Sequence, residues 1–297
     1  MDRFHEMGVF AAIVDAGSFI GAADSLNLSK AAVSRVLGDL EKRLGTRLLH
    51  RTTRRLSLTD EGKVFYVRCK TLLADVEEAE AEITARSGHV LGLLKINAPV
   101  TFGLLHLAPL WGAFMAQNPA VTLDITLSDR LVDVVEEGYD IVVRIGRLRS
   151  SSLISRQLST TRMVLCASPH YLDQHGRPSH PGELASHTTL AYSLFSTGEQ
   201  WMFQGPQGPE SVAVTPRMRS NSGDTCHAAA LQHQGIILQP SFLVGDDLRN
   251  GTLEEIMPEY RSFEMGIYAL YPSRQHVTPK VRVLIDYLHS ALQNRKW

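Results

Sequence analysis

Apolar residues recur at helical spacing through the start of the chain, as Phe4, Met7, Val9, Phe10, Ile13 and Val14, and Gly17 then offers a cheap left-handed stop. Ser18 is placed to cap a second short helix ending at Leu26, with Ala22 and Ala23 on its packed side. After the turn Asn27–Ser29, Ser29 caps a third helix whose Val33, Val36, Leu37, Leu40 and Leu44 fall in one stripe at 100° per residue. Gly45 ends it. Alternation in "TRLLHRTTRRLSLT" then predicts two short strands, Leu48–Arg51 and Arg54–Leu58, joined at Thr52 and Thr53.

Thr59 caps a long helix in which Phe65, Cys69, Leu72, Val76, Ala79 and Ile83 follow at spacings of four and three, a heptad seam with Glu77, Glu78, Glu80 and Glu82 off it. Such a stripe needs a cover, either a partner helix or the chain's own domain. "RSGHV", Arg86–Val90, breaks the pattern and marks a boundary.

Beyond it the periodicity alternates between strand and helix. "LGLLKINA", "VTLDITLSD" and "YDIVVRIG" read as strands, with helices predicted over Leu104–Gln117 and Leu131–Glu137, a βαβαβ order that favours a mostly parallel sheet. A second unit runs from about Arg162 to Met265, with the strand "MVLCAS", a helix from Gly223 to His233 and the strand "GIILQP". The strand "GIYALYP" and a last helix, Thr278–Leu292, return to the first unit. Two α/β lobes joined by crossing strands leave a cleft between them.

The 297 residues allow two or three domains, and a composition 44% hydrophobic and 21% charged is that of a globular protein. The net charge of -1 is unevenly distributed. From Ser29 to Arg55, eight basic residues stand against Asp39 and Glu41, a local excess of six positive charges. That excess points to an anionic partner for this region alone. On the third helix the face opposite the apolar stripe carries Ala31, Arg35, Gly38 and Lys42. Small residues between cations suit a helix entering the DNA major groove, and an ordinary solvated face is the alternative. Arginines at the tip of the strand pair complete a winged helix-turn-helix, placed to reach a minor groove or flanking phosphates.

The stretch "FAAIVDAGSFIGAADSLNLSKAAVSRVLGDLEKRLGTRLLHRTTRRLSLTDEG", Phe10–Gly62, resembles the LysR-type transcriptional regulators nearly throughout. Further on, "PVTFG", "EEGYDIVVRIG" and "NSGD" also fit that family. The resemblance implies double-stranded DNA as partner, with contacts from Lys30, Ala31, Ser34 and Arg35, beside the capping Ser29, and from Arg51 and Arg54 in the wing. Many relatives have Gln-Pro where this chain has Lys30 and Ala31, so base readout there is expected to differ. It also implies antiparallel pairing of the linker helices in a dimer, further assembly into a tetramer, contact with RNA polymerase, and a periplasmic-binding-protein-like effector domain.

The expected architecture is therefore α/β overall. Residues 1–58 form a winged helix-turn-helix, 59–88 a linker helix, and 89–297 a two-lobed effector domain. Lobe I takes about 89–161 and 266–297, and lobe II about 162–265. Ligands of open α/β sheets bind beyond the carboxyl ends of strands. That rule selects Thr101, Phe102, Ser128, Asp129, Arg144 and Gly146 in lobe I, and Asn221, Ser222, Asp224 and Pro240 in lobe II. Thr101 and Arg144 suit the carboxylate of a small organic acid effector. Each also has a plainer role open, Thr101 as a helix cap and Arg144 as partner of Asp140 or Glu137.

No GxSxG, HExxH, CxxC, P-loop or GxGxxG occurs, which argues against an enzyme. No metal or cofactor is expected. His170, His175, His180 and His187 with Asp173 and Glu183 lack ligand spacing and read as surface loop. Cys69, Cys166 and Cys226 are far apart, which fits a reducing compartment, and Cys226 near a helix start is the one thiol placed for a stabilised thiolate. The N-terminus lacks a secretory pattern and no membrane span is expected, so the expectation is cytoplasmic. The rival reading is a small-molecule-binding or catalytic α/β protein with an appended helix-turn-helix.

Overall fold

Asp2 accepts the amides of Phe4 and His5 and starts α1 (Arg3–Ala16), which Gly17 ends at φ 62°. Ser18 accepts the Gly21 amide at the start of α2 (Phe19–Leu26), and Ser29 the Ala32 amide at the start of α3 (Lys30–Leu44). The strands β1 (Leu49–Arg51) and β2 (Leu56–Leu58) pair antiparallel. Thr59 Oγ1 then accepts the Gly62 amide and donates to the Arg47 carbonyl, opening α4 (Asp60–Ala85). This computed structural model describes residues 2–51, 56–85, 90–146, 153–195, 198–272, 277–295 and 297. Side chains are not described for Arg51 or, within α4, for 74–75 and 77–85.

These elements form one compact unit, Met1–Val90, and the rest of the chain a second, Leu91–Trp297. The first is closed by a core of Val9, Phe10, Ile13, Ala22, Ala23, Val33, Leu37, Leu40, Leu48 and Leu49. Truncating such a side chain to alanine costs about 2–5 kcal/mol. Leu44, placed in the stripe by periodicity, is 37% exposed, because α3 has by then run past the elements that cover its earlier turns. The seam of α4 divides. Cys69 is fully buried in the same core and the Phe65 ring lies 5.7 Å from that of Phe10, whereas Leu72 is 43% exposed. Ala79, Ile83 and the glutamates lie outside the described side chains. The Tyr66 hydroxyl donates to Asp15 and Lys70 pairs with it at 2.9 Å, fixing α4 against α1. Gly62 lets the start of α4 lie close to the chain entering β1, since a Cβ there would stand 2.0 Å from the Leu48 carbonyl oxygen.

The second unit begins with β3 (Gly92–Ala98), then α5 (Val100–Phe102), a π turn (Gly103–Leu107) and α6 (Ala108–Gln117), in one continuous helical run. Val100–Gln117 is long and apolar enough to cross a bilayer by length and composition alone, a test that helices of folded α/β domains also pass. Here it is a layer of the α/β domain with Phe102, Leu107 and Phe114 buried. There follow β4 (Val121–Leu127), β5 (Ile141–Gly146), β6 (Leu153–Ala167), α7 (Pro169–His175), a 3₁₀ turn (Pro181–Ser186), β7 (Thr189–Tyr192), β8 (Gln200–Gly205), β9 (Gly208–Ala213) and β10 (Met218–Ser220). The chain continues through α8 (Gly223–Leu231), β11 (Ile236–Pro240), α9 (Ser241–Asn250), β12 (Glu254–Glu255), β13 (Glu264–Pro272) and α10 (Pro279–Leu292).

The main sheet runs β10-β7-β11-β6-β13-β5-β3-β4, with β12 also on β6. It is mixed rather than mostly parallel. Parallel pairs, β3 with β4 and β5, and β7 with β10 and β11, lie at its two ends, and the middle is antiparallel. The middle strands make the crossing. β6 pairs β13 over Leu153–Arg162 and β11 over Met163–Cys166, so one 15-residue strand serves both lobes.

The helix expected over Leu131–Glu137 is absent. Asp133 instead takes the amides of Val135 and Glu136 on its side chain, Arg130 pairs with Glu137, and a single turn ends at Gly138 with φ 71°. Only Val134 of its apolar residues is buried, while Leu131 is 90% exposed. A helix without a face to bury has little to hold it together.

Candidate functional site

On α3 the cap and the stripe fix what faces outward. Ser29, Lys30, Ala31, Arg35 and Lys42 are exposed and Ser34 and Gly38 partly so, opposite the buried Val33, Leu37 and Leu40. The helix is held from behind by Arg43, which donates from Nε to buried Glu6 at 2.9 Å. Among the described residues, Lys30, Arg35 and Lys42 form no ion pair or side-chain hydrogen bond. Gly38 has no intramolecular reason to be glycine, because a Cβ there would meet nothing within 4 Å. Glycine inside a helix costs about 1 kcal/mol against alanine, and nothing within the chain offsets that cost at Gly38. Arg51 ends β1, and Arg54 lies outside the described residues.

In the second unit the cleft residues come from both lobes. The Thr101 hydroxyl, in the first turn after β3, donates to Asp224 in the first turn of α8, across 123 positions of sequence. Thr101 is therefore a bridge between lobes and not a cap. Asp129 accepts the Val100 amide at 3.1 Å, and Ser128 accepts the Arg130 amide at 3.3 Å. Arg144 pairs with neither Asp140 nor Glu137. It donates to the carbonyls of Val143 at 2.8 Å and Arg130 at 3.2 Å, and burial lowers its pKa against the pull of Asp129. Glu137 is taken by Arg130, and Asp140 accepts the Lys95 amide. Burial, then the field of Asp129, pushes the Tyr192 phenol of lobe II up to about 12. Ser222 caps α8 through the Thr225 amide, Asn221 is exposed beside it, and Gly146 ends β5 opposite Gly266.

Phe102 and Pro240, unlike Thr101 and Asn221, are buried. Pro240 is a buried strand residue preceding α9, and Phe102 is fully buried among His106, Phe242 and Trp297. That aromatic cluster was not legible in the sequence, since its members come from three separate segments, the Val100–Gln117 run, the start of α9 and Trp297. His106 Nε2 donates to the Phe242 carbonyl at 2.9 Å, and Arg295 donates to its Nδ1 at 3.2 Å, so the ring is neutral. Burial lowers its pKa accordingly. The Trp297 indole donates to the Thr160 carbonyl at 2.8 Å. The cluster ties the π turn of lobe I to α9 of lobe II one turn beyond Thr101.

Cys226 does not hold the stabilised thiolate that a helix start would favour. It is fully buried and burial raises its pKa, while Cys69, pushed up to about 11, is equally inert as a nucleophile. Among the described residues no three metal-ligating side chains converge. His187 and His175 instead serve Tyr171, through its hydroxyl at 3.3 Å and its carbonyl at 3.0 Å.

Residues 4–63 match the bacterial regulatory helix-turn-helix protein, lysR family, and residues 87–293 match the LysR substrate binding domain. An uncharacterized HTH-type transcriptional regulator of Haemophilus influenzae is 36% identical, with 95% of this chain and 98% of that protein aligned. The HTH-type transcriptional activator AaeR of Escherichia coli is 33% identical over 97% of this chain and 93% of its own length. The crystallised CrgA of Neisseria meningitidis, a LysR-type transcriptional regulator, is 33% identical, covers 98% of this chain and 99% of its own, and superposes with a TM-score of 0.65. These proteins are regulators and not enzymes. With a lysR-family helix-turn-helix at one end and a LysR substrate binding domain over most of the rest, the chain belongs to the LysR family of DNA-binding transcriptional regulators.

Proposed function

We propose that this regulator reads its operator with α3 in the major groove, through Lys30, Ala31, Ser34 and Arg35, and with Arg51 and Arg54 of the wing on the flanking backbone. The carrying observation is the outward face of α3, where three cations have no partner among the described residues and Gly38 leaves clearance. In this reading residues 1–58 bind DNA, 59–88 link and pair protomers, and 89–297 sense an effector in the cytoplasm. Exposed Leu72 on α4 and Leu104, Leu105 and Met115 on the Val100–Gln117 run support self-association into a dimer and then a tetramer. Two tethered winged helices read a two-fold related site far more tightly than one.

The effector is a small organic acid in the cleft, for which the Thr101 hydroxyl and the Arg144 guanidinium are the recognition groups. Binding that favours one lobe arrangement shifts the placement of the DNA-binding pairs, and with it DNA bending and contact with RNA polymerase. Gel shift of the full chain on the DNA upstream of its own gene, with and without a panel of organic acids, tests both halves. The reading expects a specific shift that at least one acid alters. A chain that ignores that DNA overturns it.

A further inference from the structure

Two donors in the first turn after β3, the Thr101 hydroxyl and the Val100 amide, are already engaged by acids of the chain. Asp129 holds the Val100 amide from within lobe I, and Asp224 holds the Thr101 hydroxyl from the opposite lobe. Asp224 is exposed, in the first turn of the nine-residue α8, and makes this contact across the gap an effector would enter. Next to it stands a further donor. Gln239 is 2% exposed and its Nε2 has no acceptor among the described residues, while its Oε1 lies 3.0 Å from where a Cβ on Gly223 would stand. A buried amide without an acceptor costs about 1–3 kcal/mol unless something supplies one. A carboxylate seated on Thr101 beside α8 is chemically suited to do so. Two carboxylates cannot share the Thr101 hydroxyl, and their charges repel at that distance.

We propose that Asp224 is a tethered competitor for the effector's carboxylate: it occupies Thr101 in the effector-free chain, holds the lobes together, and must be displaced for an acid to bind. An intramolecular carboxylate acts at an effective concentration of about millimolar or above. A simple monocarboxylic acid therefore loses to it. The effector must add a second polar group, which Arg144 is placed to hold because its guanidinium has no carboxylate partner among the described residues. Asp224 thus sets both the threshold and the class, an acid with at least two polar groups. The regulatory meaning rests on the cleft being the effector site.

The test needs no knowledge of the natural effector, since acetate can stand in for the missing side chain. The full chain is melted in sodium acetate and in sodium chloride of equal ionic strength. For Asp224→Ala, acetate at about ten times its dissociation constant is expected to raise the melting temperature by about 2 °C over chloride. Wild type and Asp224→Asn, which keeps an acceptor on Thr101, are expected to show no difference between the salts. The double variant Thr101→Ala/Asp224→Ala is expected to lose the response. Asp224→Ser, which suits a first helical turn, replaces Asp224→Ala if the latter fails to melt cooperatively.

A vacated site that ignores acetate, a wild type that responds equally, or a double variant that still responds overturns the proposal. Acetate rescue together with an acid panel that leaves wild-type DNA binding unchanged supports the competitor and overturns the acid-effector reading instead. An acid that alters wild-type DNA binding without acetate rescue in Asp224→Ala does the reverse.

Discussion

Lys30, Arg35 and Lys42 on α3 have no partner among the described residues, whereas Thr101, Asp129 and Arg144 in the cleft are each bonded to the chain itself. The first surface is built rigidly from behind, by Val33, Leu37, Leu40 and the Arg43–Glu6 pair, and left open in front. The second closes on itself across two lobes. An open cationic face binds whenever its anion is present, with no internal bond to break first. A closed cleft answers only to a ligand that outcompetes its own contacts, which is what a regulated site requires.

The largest effect that would break this contrast belongs to Arg35→Ala. It is expected to weaken operator binding by about tenfold to a hundredfold, read by fluorescence anisotropy, with the melting temperature unchanged because the residue is exposed. A variant that melts early instead would mean that α3 is not held from behind as described. Arg54→Ala comes next. It is expected to weaken binding to all sequences alike and to flatten the log–log salt dependence by about one, the signature of a lost phosphate contact. A change in base preference at unchanged slope would move Arg54 from the backbone to a base.

The closed side is sharpened by pH. Burial lowers the pKa of His106 from its ordinary 6.5, so the folded chain binds fewer protons there than the unfolded chain. The stability that neutral His106 contributes is present above that value and lost as pH falls below it. His106→Gln keeps a donor for the Phe242 carbonyl and cannot titrate, so melting between pH 7.5 and 5 is expected to fall less steeply than in wild type. His187, lowered mainly by burial, continues to contribute to the slope that remains. Identical pH slopes would remove His106 from the contacts between lobes.

The smallest effect is that of Gly38→Ala. The free protein is expected to gain about 0.5–1 kcal/mol, a rise of about 2 °C in melting temperature, since the new methyl meets nothing in the chain. DNA affinity is expected to fall at the same time. A gain in both would show that the small residue is not clearance for a groove.

The open face was legible because its cap, stripe and stop are local, although the Arg43–Glu6 pair behind it spans 37 positions. Cap, stripe and stop lie between Ser29 and Gly45, and each acts within one or two helical turns. The cleft was legible only as positions. Its defining contact joins Thr101 to Asp224, which no local pattern connects, and the lobe contact of Phe102 with Phe242 and Trp297 is equally remote. Polar residues in "SRQLSTTR" hid the first part of β6, because a strand that crosses between lobes need not alternate like a half-buried one. Leu131, Val134 and Val135 imitated a helix that has nothing to pack against. The seam of α4 left its cover open, and the structure divides it. Its spacing was real, but Phe65 and Cys69 face the unit's own core and leave Leu72 exposed beyond it.

The most direct test of the central claim is a DNase I footprint of the full chain on the DNA upstream of its own gene, wild type beside Arg35→Ala. The account predicts two protected patches with two-fold related sequences, spaced by whole turns of the duplex, that Arg35→Ala fails to protect at equal concentration. Equal protection by the variant, or protection without related half-sites, would contradict it.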